Sequence, residues 1–292
     1  MILQAIADGL ISAATYLLVA MGFALVYSTA RFFNFAHGVL FVLAPYVMLG
    51  MLRALGVPLY VAAIVGVSAS LAVGCLFDFG AYRPLRRRGA SSLVMLLASL
   101  GIYVVVQNVI SMTCGDDTKM VLAGAADVGQ SVFGVYLTPT RFATLAAALI
   151  SAAALWATLK WTRWGRTFRA VASDPELANA SGINSDRTII WSFAVGSALA
   201  GSAGVLVALD VGMTPDMGLL PLMMAVVVMI VGGSRSVLGL TLAAIVLGVS
   251  QHLALLQMPA QWKDCIAFLL LLLFLVFRPQ GVLGKKARTA IV

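Results

Sequence analysis

The residues of this chain whose types and spacing say most about chemistry are Asp174-Pro175-Glu176 and, six positions on, Gly182. Asp174 suits a helix N-cap, since its carboxylate can accept the free N–H groups of a first turn. Pro175 suits the first helical position, where no N–H is needed. Glu176 suits the positive end of the helix dipole, and Gly182 suits the left-handed residue that closes a helix. The spacing predicts a helix of about seven residues, 175–181. So short a helix does not hold itself together in water, and its small residues Ala178, Ala180 and Ser181 suit insertion into a protein cleft. The competing reading is a connector resting on lipid headgroups, for which Leu177 and Ile183 are the only apolar anchors.

Other polar residues sit inside apolar surroundings. Asn34 and His37 stand three apart at the start of an apolar segment, which places them on one helical face. They suit contact with a solute in a passage, or bracing of the preceding turn. Gln107 and Asn108, near the outer end of another segment, suit a vestibule or a water-facing helix end. His252 reads as a solvated histidine. Gly196, Ala200 and Gly204 recur every four residues, the spacing that lets neighbouring helix backbones approach closely. Gly232, Gly233, Gly239 and Gly248 suit the same packing, or a hinge.

Catalytic patterns are missing: there is no HExxH, no GxSxG and no GxxxxGK[ST], and the chain has only two histidines. Cys75, Cys114 and Cys265 form neither a zinc pattern nor a complete disulfide set. Asp78, Asp210, Asp216 and Asp264 fall near segment ends, so no carboxylate is placed at mid-membrane as a proton-coupled carrier would need. No catalytic residue, metal or cofactor is expected.

The elements that position these residues follow from composition. Of 292 residues 62% are hydrophobic and 10% charged, and the mean hydropathy is +1.03. That is more apolar surface than one water-soluble core can hide, so lipid is the solvent. The apolar runs are continuous over about 20 residues, which excludes an alternating β-barrel and leaves helices. Nine segments are expected, near 9–29, 34–52, 57–80, 91–112, 139–159, 188–209, 217–233, 236–256 and 263–277. The pair 217–233 and 236–256 is where a broken or re-entrant helix would blur that count.

The start of the chain is not expected to be a cleaved signal, because no Lys or Arg precedes its long apolar run. The first cation, Arg31, follows that run, which predicts an N-terminus outside and a C-terminus in the cytoplasm. Fifteen of the nineteen cations then share the cytoplasmic side, and the net charge of +8 reads as this positive-inside bias and not as a nucleic-acid surface. The whole chain, 1–292, is read as one transmembrane domain with an outside loop 113–138 and a cytoplasmic loop 160–187. Asp116, Asp117 and Asp127 make the outside loop acidic, suited to docking an extracytoplasmic partner or to plain solvation.

At 168–187, FRAVASDPELANASGINSDR resembles the cytoplasmic coupling segment of high-affinity branched-chain amino acid ABC permeases of the LivH type, a family that also includes urea and amide permeases. GFALVYSTARFFNFAHG at 22–38, ASLGIYVVVQN at 98–108, FAVGSALAGSAGVL at 193–206, VVVMIVGGSRSVLGLTLAAIVLGVSQ at 226–251 and FRPQGVLG at 277–284 agree in order and spacing. The resemblance implies an all-α ABC importer permease in a bacterial inner membrane. It also implies a second related permease of the LivM type, two cytoplasmic ATPases that bind the ATP, and a periplasmic solute-binding protein. ATPase coupling would fall on Asp174, Pro175, Glu176, Ala180 and Gly182. Val39 replaces the usual Glu after NFAHG, Met223-Met224-Ala225 replaces a Lys-Ala-Phe-like entry, Arg235 takes a glycine-like place, and Gln251 stands where an acid is common. These departures leave the solute open among branched-chain amino acids, urea, short amides and small organic or aromatic acids. The reading from another class is a stand-alone carrier or channel.

Overall fold

The structure, a computed structural model, describes residues 1–121, 130–132 and 135–277. Asp127 and the cations from Arg278 onward lie outside these described residues, as does the expectation about the C-terminal end.

Among the described residues eight helices are long and apolar enough to cross a membrane. They are α1 (Ile2–Ala30), α2 (His37–Leu55), the run Leu59–Arg87, α5 (Ser92–Cys114), α6 (Pro139–Trp161), α9 (Ser185–Val211), α11 (Val237–Ala254) and a last span ending in α12 (Lys263–Phe277). The run Leu59–Arg87 joins α3 (Leu59–Phe77) to α4 (Arg83–Arg87) through a π-helical turn at Asp78–Tyr82. The seventh expected segment is helical only over α10 (Leu219–Gly232), 14 residues. At 1.5 Å per residue that is about 21 Å, short of a hydrocarbon layer of about 30 Å. Two shorter helices, α7 (Arg163–Ser173) and α8 (Pro175–Ala180), connect α6 to α9. A hairpin of β1 (Gln130–Val132) and β2 (Val135–Leu137) stands before α6.

Helix α1 is the centre of the bundle: 89% of its apolar window is buried, against 17% for α6 and 6% for the last span. A helix apolar on every side is one that proteins bury, and α1 does so against α6, α9, α10 and α11. Missing side chains set the distances. A Cβ on Gly196 would lie 2.7 Å from the Gly22 carbonyl oxygen, and one on Gly248 2.4 Å from that of Gly9. With lipid as apolar as leucine, such close van der Waals packing is what drives helices together.

Arg31, Arg83, Arg86, Arg87 and Arg235 gather at one end of the bundle, the basic end. At the opposite end Arg141 joins three helices, pairing with Asp8 of α1 at 2.7 Å and with Asp210 of α9 at 3.3 Å. Gln4 meets the backbone of Tyr136 there, tying the hairpin to α1. His252 is half-buried instead of solvated: its Nδ1 donates to the Gly248 carbonyl at 3.0 Å, leaving Nε2 to accept from Ser12 at 3.4 Å.

Two stretches of irregular backbone enter the bundle from opposite ends. Residues 31–36 turn back from the basic end, so that α2 starts at His37 with its side chain beside the Val19 carbonyl of α1, 3.3 Å away. Val19 lies eleven residues from the basic end of α1, about 16 Å in. Residues 212–218 enter from the other end, where Met213 pairs with Lys119, and a Cβ on Gly218 would lie 2.2 Å from the Gly38 carbonyl oxygen. Non-helical backbone at membrane depth must be satisfied by protein. Ser99 does this for the first stretch, accepting from Phe35 N–H at 2.9 Å and standing 3.3 Å from the Phe33 carbonyl.

Candidate functional site

The loop between α6 and α9 is built from local signals. Thr162 caps α7, its hydroxyl accepting from Gly165 N–H at 3.1 Å. Gly165 has no room for a Cβ, which would lie 2.3 Å from the Leu159 carbonyl oxygen, so α7 folds tightly against the end of α6. Phe168, Val171 and Ala172 are buried while Arg163, Arg166 and Arg169 face outward, so α7 lies along the surface of the basic end.

Helix α8 follows after one residue. Asp174 Oδ1 accepts from Glu176 N–H at 2.9 Å and Leu177 N–H at 3.0 Å, and Pro175 occupies the first turn. Gly182 takes φ +82°, a conformation that costs any residue with a Cβ, and Ile183 N–H then reaches back to the Ala178 carbonyl at 2.9 Å. The helix ends at Ala180, one residue before the expected boundary, because Ser181 already has non-helical backbone. Two further bonds tie it to the start of α9: Asn179 Oδ1 accepts from Ser185 N–H, and Ser185 donates its hydroxyl to the Pro175 carbonyl, both at 3.0 Å. The expected small-residue surface is divided. Ala178 is buried against the chain itself, whereas Glu176, Leu177, Ala180 and Ser181 project outward, Leu177 at 66% exposure.

The root of α8 is clamped. Arg31 donates to the Ser173 carbonyl at 2.6 Å, and Arg235, in the turn between α10 and α11, donates to the Ala172 carbonyl at 2.5 Å. Both carbonyls belong to the last turn of α7, which has no helical partner for them and a partial negative charge. Arg31 is the one described non-glycine residue with positive φ, +58°, closing α1 by a bond from its N–H to the Tyr27 carbonyl. Asp186, in the first turn of α9, pairs with Arg83 at 2.9 Å and Arg87 at 3.3 Å, while Arg86 pairs with the buried Asp78 at 2.7 Å. Between α8 and this arginine-rich turn lies an open depression of about 930 Å³.

Asn34 and His37 do not share a helical face. Asn34 lies in the irregular stretch before α2, because the chain has to turn back at that point, and His37 is the first helical residue. Each is 1% exposed. Asn34 Oδ1 accepts from the Tyr82 hydroxyl at 2.9 Å, which ties the stretch to the π turn before α4. Gln107 and Asn108 lie near the end of α5 and, with Ser111, Asp116, Pro215 and Asp216, line a cavity of about 290 Å³ against the second irregular stretch.

Among the described residues no group of three or more His, Cys, Asp or Glu side chains is placed to hold a metal. A polytopic bundle with a clamped surface helix and two half-depth breaks is the setting for the sequence comparison. Residues 5–275 match the family described as branched-chain amino acid transport system / permease component. The chain belongs to that family.

Relatives of this permease family align over nearly its full length. It is 32% identical over 298 residues to the high-affinity branched-chain amino acid transport system permease protein BraD of Pseudomonas aeruginosa, covering 97% of this chain and 96% of the relative. Identity is 31% over 296 residues to the corresponding permease protein LivH of Escherichia coli K12, with the same coverage of both chains. A probable branched-chain amino acid transport permease protein LivH of Methanocaldococcus jannaschii is 27% identical over 282 residues, covering 91% of this chain and 88% of the relative. No solved structure matches significantly.

The packing residues of this permease fall where backbones cross. Gly196 meets Gly22, and Ala200 is fully buried. A Cβ on Gly204 would fall 1.8 Å from the Phe41 carbonyl oxygen, and one on Gly232 2.5 Å from that of Gly239. Gly233 closes α10 with φ +88°. Of the other glycines at these crossings, Gly22, Gly38 and Gly218 carry no four-residue spacing that would have singled them out, whereas Gly9 stands at that spacing between Ala5 and Ala13. Nor does sequence reveal that Arg31 and Arg235 converge on one helix end.

Proposed function

We propose that this chain is the permease subunit of an ATP-driven importer, with α8 receiving the push of a separate nucleotide-hydrolysing subunit. The observation that carries this reading is a short exposed helix rooted at once in four helices of the bundle. Its N-terminal root is held by Arg31 at the end of α1 and by Arg235 between α10 and α11, and its C-terminal root by Ser185 of α9. A load on Leu177 or Glu176 therefore reaches α1, α9, α10 and α11 without passing through flexible chain.

In this reading the basic end faces the cytoplasm of a bacterial inner membrane, the chain being non-enzymatic. Two ATPase subunits bind the ATP, a second related permease completes the passage, and a solute-binding protein delivers cargo at the other end. Solute enters by the cavity at Gln107 and Asn108, and Asn34 and His37 brace the first irregular stretch. The names of the relatives point to branched-chain amino acids. The carboxylates Asp116 and Asp216 at that cavity suit the ammonium group of an amino acid and repel an organic acid.

Reconstitution with the partner subunits tests the reading. Gly182→Val is expected to lower solute uptake about tenfold, as ~1–2 kcal/mol of left-handed strain deforms α8, while the complex still assembles and hydrolyses ATP. Uptake that stays tied to hydrolysis at the wild-type ratio would count against it.

A further inference from the structure

A groove of about 500 Å³ opens on the outer surface of the bundle between α6 and α9. Its α9 wall is Trp191, Val195 and Leu199, one residue per turn on a single stripe, and its α6 wall includes Ala154 and Leu155. Trp164 of α7 lies at its basic end. The groove runs roughly 12 Å along α9 from Trp191 to Leu199, at 1.5 Å per residue. Its lining is mostly apolar, which suits a hydrocarbon chain.

The stripe continues to Arg187, one turn beyond Trp191 toward the basic end. Arg187 is exposed, and among the described residues no carboxylate lies within ion-pair distance of it, although Asp186 beside it holds Arg83 and Arg87. Trp191, 59% exposed, stands between the cation and the apolar walls. An indole at this level is the residue expected where hydrocarbon gives way to headgroups. A free cation, an indole and an apolar slot thus follow one another along one helix face, in the order phosphate, glycerol and acyl chain take in a leaflet.

We propose that this groove is a binding site for one anionic phospholipid, its phosphate at Arg187 and an acyl chain between α6 and α9. Arg187 lies in the first turn of α9, whose positive dipole end adds to the attraction for an anion. The site requires only that the chain sits in a membrane, and so stands apart from how ATP hydrolysis is coupled.

The test is lipid retention by the purified full chain in nanodiscs of phosphatidylcholine with a minor fraction of phosphatidylglycerol, read by native mass spectrometry after detergent exchange. Wild type is expected to keep phosphatidylglycerol in preference to phosphatidylcholine. Arg187→Gln should lower that preference about fivefold while lipid is still retained, and Ala154→Trp, at an exposed position that fills the slot, should remove both. Retention blind to headgroup in the wild type, or retention unchanged by both variants, would overturn the site. So would a photoreactive residue at 191 that cross-links a helix of a second permease subunit instead of lipid.

Discussion

Single atoms decide several features of this permease. The carbonyl oxygen of Phe41 occupies the space a Cβ on Gly204 would need, and a backbone oxygen cannot swing aside as a flexible side chain would. Gly204→Ala is therefore expected to destabilise the bundle by about 1–3 kcal/mol, the usual cost of overpacking, seen as a lower melting temperature in detergent; an unchanged melting temperature would contradict the packing described. Tyr82→Phe removes the donor to Asn34 and leaves a buried carbonyl unpaired, at about 1–3 kcal/mol. If the melting temperature of Tyr82→Phe matched wild type, the tie between Asn34 and the π turn would carry no weight. Sequence marks Asn34 and His37 as polar groups in apolar surroundings, and both are buried as such groups should be. It does not show that the helix begins only at His37, because Phe35-Ala36 is as apolar as a helix needs and the break is stabilised by Ser99, 62 residues after His37 in the chain.

At the scale of elements, the legible parts are those written in local chemistry. The cap, the proline and the closing glycine of α8 lie within nine residues, so its position can be read within one residue of the observed Pro175–Ala180. Asp174→Ala is expected to cost about 0.5–2 kcal/mol of local helix stability by freeing the two N–H groups it holds. Hydrogen exchange should then quicken at Glu176 and Leu177 while α6 and α9 are unaffected, and equal protection in the variant would contradict the cap. The apolar runs were equally legible, since each spans its own hydropathy window. The length of α10 was not: residues 217 and 218 are apolar, but they belong to the stretch that dips in beside Gly38, a contact between segments 180 residues apart. Arg31→Gln and Arg235→Gln each remove one side of the clamp on α7. Either should lower uptake per ATP hydrolysed, and the pair together should exceed either alone; wild-type coupling in the double variant would show the clamp to be incidental.

For the whole molecule, the antiparallel crossing of α1 and α9 at Gly22 and Gly196 places one irregular stretch at each end and brings both to Gly38 and Gly218. Shifting α1 against α9 would move both stretches together, and the clamped root of α8 is attached to both helices. That arrangement was beyond the reach of sequence, because it rests on pairings between helices and not on patterns within them. The claim that binds the scales together is that α8 carries force from a separate ATPase into these crossing helices. The most direct measurement places a photoreactive residue at position 177 in the assembled transporter and follows its cross-links through the nucleotide cycle. The account predicts a product with the ATPase subunit whose yield changes between ATP-bound and nucleotide-free states. Cross-links to lipid alone, in every nucleotide state, would contradict it.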